Sequence, residues 1–221
     1  MPVCVPLMMH SAVIFDLDGT LLDTIDDLAD AMNAVLERNG FPLHPVAAYK
    51  QFVGDGVEPL VRRALPEDAE GHVAVCMEEM RVEYGCRCFD KTRPYDGITN
   101  LLADLEARQI PMAVLSNKPD ETTQRVVDRY FEAGTFAIVR GAREGTPLKP
   151  DPTGALEIAR DWGLCPAEIV YIGDTDTDMR TAVAAGMTPV GALWGFRSEQ
   201  ELRAHGAAHL CAAPQDVPTL L

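Results

Sequence analysis

Residues 12–20 read AVIFDLDGT. The four apolar residues predict a short strand buried on both faces, because a half-exposed strand would alternate with polar residues. The run stops at Asp16, and Gly19 marks a tight turn that sets two carboxylates, Asp16 and Asp18, two positions apart. An Asp-x-Asp-Gly turn also opens calcium loops. Here, however, Thr20, Leu21 and Leu22 follow, with no third ligand at the expected spacing and no closing Glu. Two carboxylates beside a phosphate repel it and each other unless a divalent cation joins them. With a cation in place, one can attack phosphorus and the other can carry a proton. That chemistry requires further carboxylates, a fixed cationic side chain and donors for phosphate oxygens elsewhere in the chain.

Outward from this strand, apolar runs at 112–115, 136–139, 169–172 and 188–193 predict four more strands. Helical periodicity fills 98–108, 121–131, 153–162 and 178–185, each near a Gly or Pro stop. Alternating strands and helices place the fold in the α/β class, a parallel sheet with helices on both faces whose ligands gather at the carboxyl ends of the strands. The alternation breaks once. From Leu21 to about Tyr95 no strand is predicted and the pattern is helical. A first helix starts at Thr24, carries Ile25, Leu28, Met32, Val35 and Leu36 on one face and ends before Gly40; others follow at 46–52, 57–65 and 68–84. The predicted organisation is a core of residues 1–20 and 95–221 with an all-helical cap of residues 21–94, inserted where a lid over the first strand's carboxyl end would sit.

The supporting parts appear at or just beyond strand ends. The second strand runs into Ser116, Asn117 and Lys118, where a hydroxyl and backbone N–H groups can hold phosphate oxygens at a helix entry. After the third comes KPDP, in which Pro150 and Pro152 stiffen the backbone around Lys149. The fourth ends in GDTDTD, which crowds Asp174, Asp176 and Asp178 into one loop and helix start. Helix capping accounts for one of these acids, and a cation for the group.

The 221 residues fit one large or two small domains, and 47% hydrophobic composition supplies a core. With 34 acidic against 19 basic residues the net charge is −15, which repels nucleic acid and anionic membranes. A phosphate site must therefore be positive locally. The opening MPVCVPLMMHS has no Lys or Arg and is interrupted by Pro6, so neither a secretory signal nor a membrane span is expected, and Met8 and Met9 are alternative starts. The expected location is cytoplasmic, with Cys4, Cys76, Cys86, Cys88, Cys165 and Cys211 as free thiols. Cys86 and Cys88 lack a second pair or His cluster that would make them a zinc site.

Taken in order, DLDGT, the Ser of LSN, the Lys of KPDP, and GDTDTD resemble the four motifs of the haloacid dehalogenase-like superfamily, from about Ser11 to the C-terminus. The resemblance implies a Rossmann-like core with an inserted helical cap and a Mg²⁺-dependent phosphatase acting on a small phosphorylated metabolite. It implies Asp16 as nucleophile and metal ligand, and Asp18 as general acid/base whose main-chain carbonyl also meets the metal. Thr20, Ser116 and Asn117 would contact phosphate, and Lys149 would balance charge. Asp174 would bind the metal, Asp178 would support the metal's waters, and Asp176 would face solvent. A carboxylate at position 18 separates phosphatases and mutases from the family's dehalogenases, with an aromatic there, and its ion pumps, with Thr.

FVGDGVEPLVRRAL (52–65), TRPYDGI (92–98) and LWGFRSEQEL (193–202) resemble phosphoglycolate phosphatases. That likeness implies a cap loop reaching the site through Gly54, Asp55, Gly56 and Val57, with Gly56 near substrate. Arg62 and Arg63 read as a solvated helix face, and Trp194 and Arg197 as residues bordering the site. Alternatives are a β-phosphoglucomutase-like mutase and a non-catalytic binding module. Monomer and homodimer are both open.

Overall fold

The computed structural model describes residues 10–221, so Cys4, Met8 and Met9 lie outside the described residues. Among the described residues six parallel strands form one sheet in the order β5-β4-β1-β6-β7-β8. They are β1 (Ala12–Phe15), β4 (Met112–Pro119), β5 (Ile138–Ala142), β6 (Ile169–Gly173), β7 (Thr188–Ala192) and β8 (His209–Cys211). The chain builds outward from β1 on one side, returns, and builds outward from β6 on the other. The switch point therefore lies between β1 and β6, the place where open α/β sheets leave a crevice at their carboxyl ends.

Period-two alternation explains why β1 is buried throughout. Val13 and Phe15 point to one face and Ala12 and Ile14 to the other, each in a separate apolar cluster. The Val13 face packs against a cluster that continues through Leu17, Leu21 and Leu22 into Leu28, Met32, Leu36 and Tyr84 of the inserted segment. The Ile14 face is covered by α7 (Thr153–Trp162) and α8 (Asp176–Ala185) through Ala155, Ile158 and Ala182. Along the chain, α5 (Ile98–Ala107) precedes β4, α6 (Asp120–Tyr130) joins β4 to β5, and α9 (Glu199–Ala204) precedes β8.

The segment expected to lack strands contains a short antiparallel ribbon. β2 (Leu22–Asp23) pairs with β3 (Arg93–Pro94) where the chain leaves and re-enters the sheet layer. Between them lie α1 (Ile25–Arg38), α2 (Val46–Phe52), α3 (Val57–Ala64) and α4 (Val73–Arg87). The helix expected over 68–84 is divided: residues Glu67–His72 form a 3₁₀ turn with Ala69 off helical geometry, and α4 starts only at Val73. Buried Asp27 of α1 fixes the return path, its carboxylate accepting the Lys91 and Thr92 N–H groups and the Thr92 hydroxyl at 2.7–3.1 Å.

Three strand expectations also shift. β4 runs four residues further than 112–115, with its register broken between Leu115 and Pro119, so Ser116, Asn117 and Lys118 occupy an irregular extension of the strand. β5 begins at Ile138, because Phe136 instead packs edge-on against Phe131 and Phe15. β8 was not foreseen, since three residues are too short to show periodicity. Among the described residues no helix is long and apolar enough to cross a membrane.

Candidate active site

Asp16 leaves the sheet where its N–H still bonds the Ile172 carbonyl at 2.9 Å, which aligns it with the end of β6. Asp174 follows β6 directly and is fully buried. Gly19 and Gly195 close around it, and a Cβ at either would overlap its carboxylate. Thr20 donates to Asp174 Oδ1 at 3.0 Å and the Phe196 N–H to Oδ2 at 2.8 Å. Asp178 stands in the first turn of α8, where Thr175 caps the helix. The Thr175 N–H and hydroxyl donate to Asp178 Oδ2 at 3.1 and 2.6 Å, and the Asp178 N–H donates back. Lys149 Nζ then joins the acids, 2.8 Å from Asp16 Oδ1 and 2.7 Å from Asp178 Oδ1, while also donating to the Leu115 carbonyl.

Asp16, Asp174 and Asp178 thus bring carboxylate oxygens within 4.8 Å of one another in a buried pocket. One lysine against three acids leaves an excess of negative charge. Desolvation, reinforced by Asp178, pushes Asp16 up to about 7, even with Lys149 opposing. Asp174 is raised well above the usual carboxylate range, first by burial and then by Asp178 and Asp16. Lys149 is raised too, because Asp16 and Asp178 outweigh the burial that opposes its charge. Buried hard-oxygen donors held together and short of positive charge are the donor set a small divalent cation fits.

Asp18 turns its carboxylate away from this cluster. Its Oδ1 lies 2.5 Å from Lys118 Nζ, which also donates to the Tyr84 hydroxyl at 2.8 Å and lies 4.8 Å from the Tyr84 ring centre. Burial lowers the Lys118 ammonium, but Asp18 and Tyr84 outweigh it and hold the lysine above its ordinary value. Sequence reading placed Lys118 at a helix entry without giving its side chain a partner, and missed Tyr84. The available signal was the lysine directly after Ser116 and Asn117, but its partners are 100 and 34 residues away.

Asp16 and Asp18 open onto a cavity of about 450 Å³, walled on the same side by Ser116 and Lys118 and on the other by Val53, Gly56, Leu60 and Tyr84. Ser116 and Gly56 both line it. Two residues expected at the phosphate use their side chains elsewhere in this structure. The Thr20 hydroxyl is engaged with Asp174. The Asn117 side chain donates to the Gly54 and Lys149 carbonyls at 3.1 and 3.0 Å and accepts the Lys149 N–H at 2.8 Å. It positions Lys149 and the cap loop, and its side-chain hydrogen bonds go to backbone. Asp176, expected to face solvent, is partly covered and pairs with Arg180 at 2.9 Å. Arg62 pairs with Glu58 and Glu70 at the surface, whereas Arg63 braces Asp55 at 2.5 Å. Trp194 donates to the Thr20 carbonyl at 2.9 Å and so borders the site.

Residues 13–192 match the family model described as haloacid dehalogenase-like hydrolase, a span that includes all four motifs. The chain belongs to the haloacid dehalogenase-like hydrolases. This hydrolase is 34% identical over 190 residues to the phosphoglycolate phosphatase of Neisseria meningitidis, covering 84% of this chain and 81% of the relative. It is 30% identical over 196 residues to that of Pseudomonas putida, covering 86% and 72%. Among solved structures, a Lactobacillus delbrueckii subsp. bulgaricus protein provisionally named a phosphoglycolate phosphatase superposes with a TM-score of 0.89 at 32% identity, covering 95% of this hydrolase and 97% of that chain.

Proposed function

We propose that this hydrolase is a Mg²⁺-dependent phosphatase that cleaves a small phosphomonoester through a phosphoaspartyl intermediate on Asp16, with phosphoglycolate as its substrate. The observation that carries this reading is the meeting of Asp16, Lys149, Asp174 and Asp178 at one buried point beside a cavity that Asp18 also faces. The relatives' names supply the phosphoglycolate. Of the described residues, 10–20 and 95–221 act as the core and 21–94 as the cap over it.

Asp16, Asp174 and Asp178, with the main-chain carbonyl of Asp18, are the groups that would hold Mg²⁺. When bound, it neutralises the excess negative charge of the carboxylates and of the phosphate. Asp16 attacks phosphorus in line as the P–O bond to the leaving alkoxide breaks, and Lys149 balances charge on the nucleophile and the phosphoryl oxygens. Ser116 donates to a phosphoryl oxygen. Asp18, ion-paired with Lys118 in this structure, must first release that lysine and take up a proton, which it then gives to the leaving oxygen. It then takes one from the water that attacks the phosphoaspartate, which returns Asp16 and releases inorganic phosphate.

The deciding experiment measures phosphate release from phosphoglycolate, sugar phosphates, nucleotides and pyrophosphate, with Mg²⁺ and with chelator. The expected result is metal-dependent release, highest in kcat/KM for phosphoglycolate. In Asp16→Asn, checked by mass spectrometry for deamidation, kcat should fall by at least ~10³-fold. Retained turnover in that variant would sink the covalent mechanism. Isomerisation of a sugar phosphate without phosphate release would establish the mutase instead.

A further inference from the structure

We propose that Arg197, Thr177 and Asn117 form a docking site on the core for the cap loop 53–56, with Arg197 as the main positioning residue, so that seating of this loop sets how tightly the site retains substrate. The proposal rests on the phosphatase reading above.

Each of the three core side chains reaches a different part of the loop. Arg197 is 7% exposed, and its guanidinium forks onto the Lys50 and Val53 carbonyls, the latter at 3.0 Å, while its Nε is held by Glu201 at 3.0 Å. Those carbonyls belong to the last turn of α2 and its C-cap, where backbone acceptors lack helical partners and the dipole favours a cation. Thr177 donates to Asp55 Oδ1 at 2.5 Å, and the other Asp55 oxygen accepts from Arg63, which also donates to the Phe52 carbonyl. The Thr177 and Arg63 contacts hold the Asp55 carboxyl below its ordinary range although burial opposes them. Asn117 takes the Gly54 carbonyl. Gly54 has φ +125°, and a Cβ there would come within 3.3 Å of Thr175 Cγ2, so the loop rests directly on the segment between Asp174 and Asp178.

Position in the chain connects this dock to the chemistry. Asn117 follows Ser116, Thr177 precedes Asp178, and Arg197 follows Phe196, whose N–H holds Asp174. The same loop supplies Val53, Gly54 and Gly56 to the cavity wall. A loosened loop therefore removes one wall while the carboxylate cluster stays in place. Substrate must then pull the loop home. Apparent affinity drops by the fraction of enzyme that is not docked, whereas turnover at saturation is kept.

The test uses the full chain with Mg²⁺ and phosphoglycolate, in Arg197→Met, Arg197→Lys and Thr177→Val, the last of which preserves shape at a buried position. Arg197→Met and Thr177→Val are expected to raise KM by ~5–10-fold with kcat within about two-fold, because only the docked fraction changes. Arg197→Lys should fall between wild type and Arg197→Met, since an ammonium keeps the charge but not the fork. Amide hydrogen exchange should quicken across residues 50–57 and not in β1 or β6. Unchanged KM together with unchanged exchange at 50–57 would overturn the proposal, as would exchange quickened equally in β1 and β6, the mark of general destabilisation. A wild-type protein that releases no phosphate would refute the phosphatase reading alone, and the exchange measurement would still test the dock.

Discussion

At the scale of single residues, the pair Lys118–Asp18 makes the sharpest stability test. Both side chains are largely out of solvent, at 4% and 13% exposure, so deleting the cation leaves a carboxylate desolvated and uncompensated. Lys118→Met is expected to destabilise the fold by ~3 kcal/mol, read from urea denaturation, whereas a surface pair such as Arg203–Glu199 should cost less than ~1 kcal/mol. A loss below that in Lys118→Met would mean that Asp18 finds water or another donor. Residue chemistry was the most legible level in the sequence. Asp16, Lys149, Asp174 and Asp178 follow strand ends as short polar words, and the structure brings them together. Hydrogen-bond partners were not legible. Nothing in the local chain indicated that Thr20 and Asn117 would orient Asp174 and Lys149.

Among the elements, the start of α8 carries both a helix cap and part of the carboxylate cluster. Thr175→Ala removes the hydroxyl that caps the helix and holds Asp178. It should cost ~1–2 kcal/mol in thermal or urea unfolding and also weaken Mg²⁺ binding measured by calorimetry. A stability loss with unchanged metal affinity would assign Thr175 to capping alone. The turn after β1 is stricter. Gly19 has φ +91°, and a methyl group there would displace Asp174, so Gly19→Ala should lower kcat/KM by at least ~100-fold even where the protein folds. Element types were largely readable from periodicity, including α2 at 46–52 and α7 at 153–162. The misses share one cause. β2, β3 and β8 have two or three residues each, and they exist through pairing with distant chain rather than through a local pattern.

For the molecule as a whole, the buried acids link pH, metal and stability. Asp16 is raised from 3.8 to about 7 and Asp174 is raised as well, so between those pH values the folded state binds more protons than the unfolded chain. Their contribution is fully favourable below pH 3.8 and is lost as pH rises through about 7. In chelator, Tm should therefore fall across that window. On the proposed reading Mg²⁺ takes the place of the protons, so its stabilising shift should be larger at pH 8 than at pH 5, which paired melting curves with and without the ion would measure. An equal shift at both pH values would exclude these carboxylates as the ion's ligands.

What the sequence by itself determined is the set of chemical parts and their order: apolar runs of strand length, three of which, at 12–15, 112–115 and 169–172, lead straight into polar residues at the carboxyl end of the sheet. These signals are local, because burial on both faces, turn geometry and capping each act over a few residues. Only the tertiary structure decided which parts touch. Lys118 meets Asp18 and Tyr84, Asp27 holds Thr92, and Arg197 grips the end of α2, pairings across 34 to 147 residues. Contacts of that range depend on how the inserted helices settle on the sheet, and no periodicity in the chain encodes them.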